Sequence, residues 1–171
     1  DLWWKKYKKD KPASNVTKAI KLPHELNALE VSRAGVAIIA HDKNGVPNIL
    51  LANDSNSGNP KGAHSWLSGS VDTTDKSVKE TIIREAFEES VSAVALKEGE
   101  IDDAIKNGNY FYLDAGAKDK KLIVVIKSKE SIGAINSRYE SRKKKEHNLS
   151  KSMKEVDRMV GVPVSEFNKW Y

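Results

Sequence analysis

Arg84-Glu85-Ala86-Phe87-Glu88-Glu89 decides how the rest of this chain is read. On a helix each residue advances about 100°, so carboxylates at i, i+3 and i+4 fall within about a quarter of the circumference. The other side carries Ile83, Ala86, Phe87 and Val94, the spacing of a buried stripe. Adjacent carboxylates repel, and the arrangement lowers stability unless a cation sits among them. Carboxylate oxygens are hard ligands, which suits Mg²⁺ or Mn²⁺. The alternative is an acidic face turned to bulk water, the commonest fate of a charged helical surface.

The surroundings narrow the choice. A chain of 171 residues, 39% hydrophobic and 31% charged, is a folded globular protein of one domain with a short extension. Its longest apolar runs, such as Gly35 to Ala40 and Leu122 to Ile126, are strand-sized and far too short to span a bilayer, so no membrane role is expected. There is no cysteine, hence no disulfide, thiolate metal site or thiol catalysis, in keeping with the cytoplasm. The chain begins with Asp1 rather than Met, which leaves open a targeting segment upstream. Net charge is +5, and the excess is local: the N-terminus carries Lys5, Lys6, Lys8, Lys9 and Lys11, and Arg142-Lys143-Lys144-Lys145 is the densest cluster. Such surfaces favour anionic partners: phosphorylated metabolites, RNA or an acidic protein.

Residues 1–30 lack a sustained period and read as an extension packed on a domain spanning 31–171, with Trp3, Trp4 and Tyr7 pinning it to the core. Ala34 to His41 and Val46 to Ala52, joined by Asp42-Lys43-Asn44-Gly45, form a hairpin. Asn53 to His64 is a loop, and Trp66 to Val71 a short strand. Thr74 or Asp75 is expected to cap a helix running to about Val94, and a second helix covers Glu98 to Lys106. Tyr110 to Asp114 and Lys121 to Lys127 make another hairpin. Ser137 to Lys154 is part helix and part loop, Val156 to Val164 a last strand, and Ser165 to Tyr171 a terminal helical turn. Strands and helices around one mixed sheet make the class α/β (α+β), with helices on both faces.

This pattern resembles the Nudix hydrolase family, whose hallmark box reads G-x5-E-x7-R-E-U-x-E-E-x-G-U, with U a bulky apolar residue. Placed without gaps, Arg84-Glu85 fall on R-E, Ala86 on U and Glu88-Glu89 on E-E. Trp66-Leu67-Ser68-Gly69-Ser70 falls where the family commonly shows W-x-P-G-G, and Val162-Pro163-Val164-Ser165-Glu166-Phe167 looks like its V-P-L-x-E-L ending. The resemblance covers roughly 32–167 and implies an α/β/α sandwich with a mixed central sheet. The departures are specific. Ser70 stands for the opening Gly, Lys76 for the first Glu, Val91 for the second Gly and Ser92 for the last apolar residue. A one-residue insertion would restore Gly69 and put Asp75 at the Glu position; the ungapped placement is preferred because it also aligns the Trp-Gly segment. Lys76 near Arg84 then brings a repulsion unless Asp72 or Asp75 takes the guanidinium. Loss of the second Gly implies a helix that continues past Val91.

What the resemblance implies is hydrolysis of a nucleoside diphosphate linked to another moiety, with Mg²⁺ or Mn²⁺ required. Glu85, Glu88 and Glu89 would be the metal ligands, with Glu89 assigned as base and Arg84 orienting the glutamates. The carbonyl of Gly69 would complete the shell, and Glu155 is the choice for the extra acidic ligand over Glu140, Glu146 and Asp157. Arg33, Lys61 and His64 border the expected cleft and would hold phosphates; His64 has no companion at a zinc spacing. Substrates in this family range from nucleoside triphosphates to RNA 5′ ends, and the basic patches favour heavily phosphorylated ones, dinucleoside polyphosphates or RNA ends. Many relatives are dimers, so a homodimer is compatible. The second reading is a Nudix-like domain that binds nucleotide, RNA or protein without cleaving it, motivated by the altered box.

Overall fold

β-Branched and aliphatic residues at period two build a sheet around one long strand. The structure, a computed structural model, describes residues 18–19, 30–53, 64–114, 120–145 and 158–165. The strands are β1 (Lys18–Ala19), β2 (Glu30–Val31), β3 (Arg33–His41), β4 (Pro47–Asn53), β5 (His64–Ser65), β6 (Leu67–Ser70), β7 (Tyr110–Asp114), β8 (Lys120–Ser131) and β9 (Arg158–Pro163). The helices are α1 (Val78–Glu89), α2 (Glu98–Lys106) and α3 (Ile132–Lys145). β3 is the hub. Along one edge its first half pairs antiparallel with β6 and its second half antiparallel with β4, and along the other it runs parallel to β8. β7 closes on β8 as an antiparallel hairpin, while β5 and β9 both pair with β4. The sheet is therefore mixed, and the protein is a mixed α/β fold with three helices among the described residues.

Alternation along β3 sends Val36, Ile38 and Ala40 to one face and Ala37 and Ile39 to the other. The first face meets Val78, Ile82, Ala86 and Phe87 of α1, Ile101, Ala104 and Ile105 of α2, and Ile135 and Tyr139 of α3. All three helices thus contribute to one cluster. The opposite face gathers Ile49, Leu51, Ile123 and Val162 with Trp66, whose ring centroid lies 5.4 Å from that of Phe111. A helix over this second face is not among the described residues.

Several boundaries move. Ser77, not Thr74 or Asp75, caps α1: its side chain accepts from Glu80 N at 3.3 Å, satisfying one of the otherwise orphaned first-turn donors. The buried stripe is Val78, Ile82, Ala86 and Phe87, with Ile83 only half-buried. The helix does not run to Val94. It ends at Glu89, and Val91 (φ 50°) and Ser92 (φ 64°) turn left-handed without any glycine. Ser92 N donates to Phe87 O at 2.7 Å and Ser90 Oγ to Ala86 O at 2.6 Å, which closes the helix end. A left-handed β-branched residue costs about 1–2 kcal/mol, offset here by burial of Val91, 1% exposed, in the core. α3 begins at Ile132 and continues through Lys145, because Ser131 Oγ accepts from Ala134 N at 3.1 Å and starts it. β9 is described over Arg158–Pro163, within the expected last strand, and Val156 lies outside the described residues. The expectations for residues 1–17, the loop 54–63 and the terminal turn beyond 165 lie outside the described residues.

Gly35 is required where β3 pairs with β6 beneath α1. A Cβ there would sit closer than 3.0 Å to the backbone of Leu67 and Ser68, which cannot swing aside. Gly35→Ala is expected to cost about 1–3 kcal/mol, the range of core overpacking, read as a lowered midpoint in denaturant unfolding. An unchanged midpoint would mean that the two strands are less tightly apposed.

Candidate functional site

Gly69 is the position that lets a carboxylate touch the sheet. It pairs with Ala34 on β3, and α1 crosses directly above. A Cβ on Gly69 would come closer than 3.0 Å to the carboxylate carbon and both oxygens of Glu85. Glu85 therefore lies in the space a side chain would otherwise take. Its neighbour Arg84 is fully buried and reaches along β6: Nη2 donates to Ser70 O and to Asp75 Oδ2, both at 2.9 Å, and Nε to Asp75 Oδ1 at 3.1 Å. Nη1 donates to Glu85 Oε1 at 2.6 Å and lies 3.5 Å from Glu88 Oε2. Burial pushes the guanidinium pKa down, but the charge of Glu85, the bond and charge of Asp75 and the charge of Glu88 outweigh it, so the net shift is upward. Arg84 stays charged at any pH the fold survives.

The acidic face does not look at bulk water. Glu85 and Glu88 are 2% and 1% exposed, and half-buried Glu89 accepts from Ser68 N at 3.2 Å. The solvated-face alternative is thereby excluded for Glu85 and Glu88. The reason was not legible in a helical wheel: α1 buries its apolar stripe against the sheet and simultaneously lays the acidic stripe along β6, whose Ser68 and Gly69 are small. The carboxylates do not close into a cage, however. Among the described residues no three Asp, Glu or His side chains converge tightly enough to hold a metal ion by themselves. Glu85 leans on Arg84 and Glu89 on Ser68.

Of Asp72 and Asp75, the two candidates for the guanidinium, Asp75 is the one that takes it. It is 1% exposed, takes the guanidinium through both oxygens, and is itself held by Thr81 Oγ1 at 2.8 Å and Asp72 N at 2.9 Å. Lys76 is exposed, with its backbone N donating to Glu80 at 3.0 Å, so the repulsion expected between Lys76 and Arg84 does not arise. The carboxylate that meets Arg84 thus lies one residue before Lys76, as the ungapped placement allowed. Asp75→Asn is expected to lose about 2 kcal/mol, since a bond to a buried charge is worth about 1.5–3. Lys76→Ala should stay within about 0.5. Thermal melts of the pair check this, and equal effects would refute the assignment.

Arg33, half-buried, opens β3 and pairs with Ser70, next to Gly69. His64 is placed on β5 opposite Asn53, at the end of β4 and on the edge that faces β3, with β9 on the other edge. Lys61 and Glu155 lie outside the described residues, as do Glu146 and Asp157; Glu140 is exposed on α3. Ser77, Thr81 and Ser68 escaped the sequence reading, although Ser77-x-x-Glu80 carries a helix-start signal.

No family model matches this chain. No curated protein matches it either. Among solved structures it is similar to a Nudix hydrolase from M. Smegmatis, RenU, at 12% identity over 81% of this chain and 74% of that one, with a TM-score of 0.47. A C. elegans Ap4A hydrolase is similar at 18% identity over 81% and 84%, TM-score 0.47. Shewanella oneidensis NrtR is similar at 16% over 79% and 53%, TM-score 0.46. Likeness at that level carries no weight for activity, which has to come from the residues. No described helix is long and apolar enough to cross a membrane.

Proposed function

We propose that the protein is a metal-dependent pyrophosphohydrolase acting on a nucleoside diphosphate-linked substrate, as the Nudix resemblance of its sequence implies. The observation that carries this reading is Glu85 seated in the space above Gly69, with buried Glu88 and half-buried Glu89 beside it on the same strip. Burying carboxylates at this density disfavours the fold unless function requires them, because each loses hydration and repels its neighbours. The donor set is all oxygen, which fits Mg²⁺ or Mn²⁺ and no softer metal. Glu85, Glu88 and Glu89 would hold the ion with the Gly69 carbonyl, and Glu155 is proposed as a further ligand. A bound divalent ion supplies neutralisation of the pyrophosphate and a water acidic enough to attack phosphorus.

The chain's own groups then divide the work. Arg84 keeps Glu85 oriented and offsets part of the charge that three carboxylates accumulate. Glu89, half-buried at the C-terminal end of α1, is the proposed base toward the attacking water. Arg33, Lys61 and His64 are the proposed phosphate contacts. Heavily phosphorylated substrates, dinucleoside polyphosphates or RNA 5′ ends, suit the basic surface, in which the last turn of α3 carries Arg142, Lys143, Lys144 and Lys145.

A second reading rests on the open arrangement of the three glutamates: a Nudix-like domain that binds nucleotide or RNA without cleaving it. Incubation with Mg²⁺ or Mn²⁺ and a nucleotide panel separates the two. Turnover supports the hydrolase, whereas saturable binding with no product supports the binding domain. Gly69→Ala tests the site itself. The added methyl should displace Glu85 and reduce Mn²⁺ affinity at least about tenfold, a loss of 1.4 kcal/mol, and unchanged affinity would remove Gly69 and Glu85 from the site.

A further inference from the structure

A cleft of about 650 Å³ opens on the helical side of the sheet, between residues 92–97, α2, the end of β8 and α3. It is separate from the carboxylate strip. Its lining includes Ile38, toward the end of β3, whereas Gly69 and Ser70 pair with the start of that strand. The floor is apolar, made by Ile38, Val94, Ile126 and Ile135, all buried. Among the charged lining residues cations outnumber carboxylates: Lys97, Lys127, Lys129, Arg138 and Arg142 against Glu100, Asp103 and Glu130.

Two of those carboxylates are engaged. Glu130 pairs with Arg138 Nη2, and Glu100 accepts from Lys97 N at 3.1 Å. Lys97, Lys127 and Lys129 are exposed and have no ion-pair partner among the described residues. Arg138 Nε is buried without an acceptor among them. Bringing like charges from separate elements around one cavity is unfavourable in isolation, and leaving a guanidinium N–H buried and unaccepted adds to the cost. An anion offsets both. Inorganic anions have no use for the apolar floor, so the volume and its lining suit a larger molecule.

We infer that this cleft binds an organic polyphosphate, with its phosphates on Lys97, Lys127, Lys129 and Arg138 and its apolar portion on Ile38, Val94 and Ile126. Arg142 connects the cleft to the end of α1. Its Nη1 donates to the carbonyl of Ser92 and, at 2.7 Å, to Ser92 Oγ, within the left-handed turn that follows Glu89. A polyphosphate in the cleft competes with Ser92 for this guanidinium, which links occupancy to the glutamate-bearing helix. The binding itself does not depend on the hydrolase reading.

Calorimetric titration with ATP and with inorganic tripolyphosphate tests it, in EDTA so that the glutamates cannot recruit phosphate through a metal. Saturable one-to-one binding is expected, tighter for ATP and weakened by salt. Lys97→Glu/Lys129→Glu should weaken it at least about tenfold, while Glu88→Gln/Glu89→Gln should not weaken it. Both lysines are exposed, and a melting curve verifies that the variant folds. Absence of saturable binding, or equal affinity in the lysine variant, overturns the proposal. So does an equal loss on reversing Lys144 and Lys145, exposed residues outside the cleft, because attraction would then be diffuse.

Discussion

Hydrolysis of a pyrophosphate-containing nucleotide is expected to fall about a thousandfold in Glu88→Gln/Glu89→Gln protein. The substitution is close to isosteric and removes two negative charges from the strip beside Gly69. Gln can still accept from Ser68 N, as Glu89 does at 3.2 Å, so the packing of α1 on β6 should persist. What is lost is affinity for a divalent ion, and with it several kcal/mol of charge stabilisation in the transition state. About 4 kcal/mol corresponds to three decades in rate. Initial rates in saturating Mg²⁺ or Mn²⁺, with melting curves run alongside, check the prediction. Activity retained by a folded double variant would remove the proposed site. Inactivity accompanied by a collapsed melting temperature would instead assign these residues to the fold.

Arg84→Gln is expected to be the most damaging single change to stability, at about 3–5 kcal/mol. Arg84 is fully buried, and its polar contacts include four carboxylate oxygens: two of Asp75, one of Glu85 and, more distantly, one of Glu88. Removing the guanidinium leaves those carboxylates buried and uncompensated, the situation in which breaking an ion network costs most. Lysine is no substitute, since one ammonium cannot serve Asp75 bidentately while also reaching Ser70 O and Glu85. Its raised pKa gives no pH dependence in the working range. A group shifted upward contributes its full stability below its unfolded value, which for a guanidinium is strongly alkaline, so milder conditions leave the contribution intact. Urea unfolding of wild type and variant gives the number, and a loss under about 1 kcal/mol would contradict the network. Divalent ions should recover part of the variant's deficit, because they supply positive charge to the same carboxylates.

The sheet was legible because β-branched runs and turn residues coincide. Ala34 to His41 and Val46 to Ala52 are β3 and β4 within a residue or so, with Asp42 Oδ1 accepting from Asn44 N and Val46 N at the turn. α2 was placed at its observed bounds because Asn107-Gly108 stops it, Gly108 lying at φ 74°. α1 was harder at both ends. Its start is set by Ser77 and its end by a left-handed pair, Val91-Ser92, that propensity argues against. Only the tertiary setting explains that end: Val91 is buried, and Arg142, fifty residues away, holds Ser92. The identity of the acidic residues could be read directly, but their burial could not. A helical wheel knows nothing of Gly69 and Ser68, whose small size lets the acidic stripe approach β6. Asp75 illustrates the same limit. The spacing leaves Asp72 and Asp75 as alternatives for the guanidinium, and only the folded loop shows that Asp75 is the one that reaches Arg84.

Mn²⁺ binding, followed by the loss of its free-ion electron paramagnetic resonance signal, tests the central claim most directly. Titration of the wild-type protein should show saturable binding of at least one ion, and Glu88→Gln/Glu89→Gln should abolish it while the fold persists. Wild-type protein that leaves the Mn²⁺ signal untouched, or a double variant that binds as well as wild type, would contradict the account.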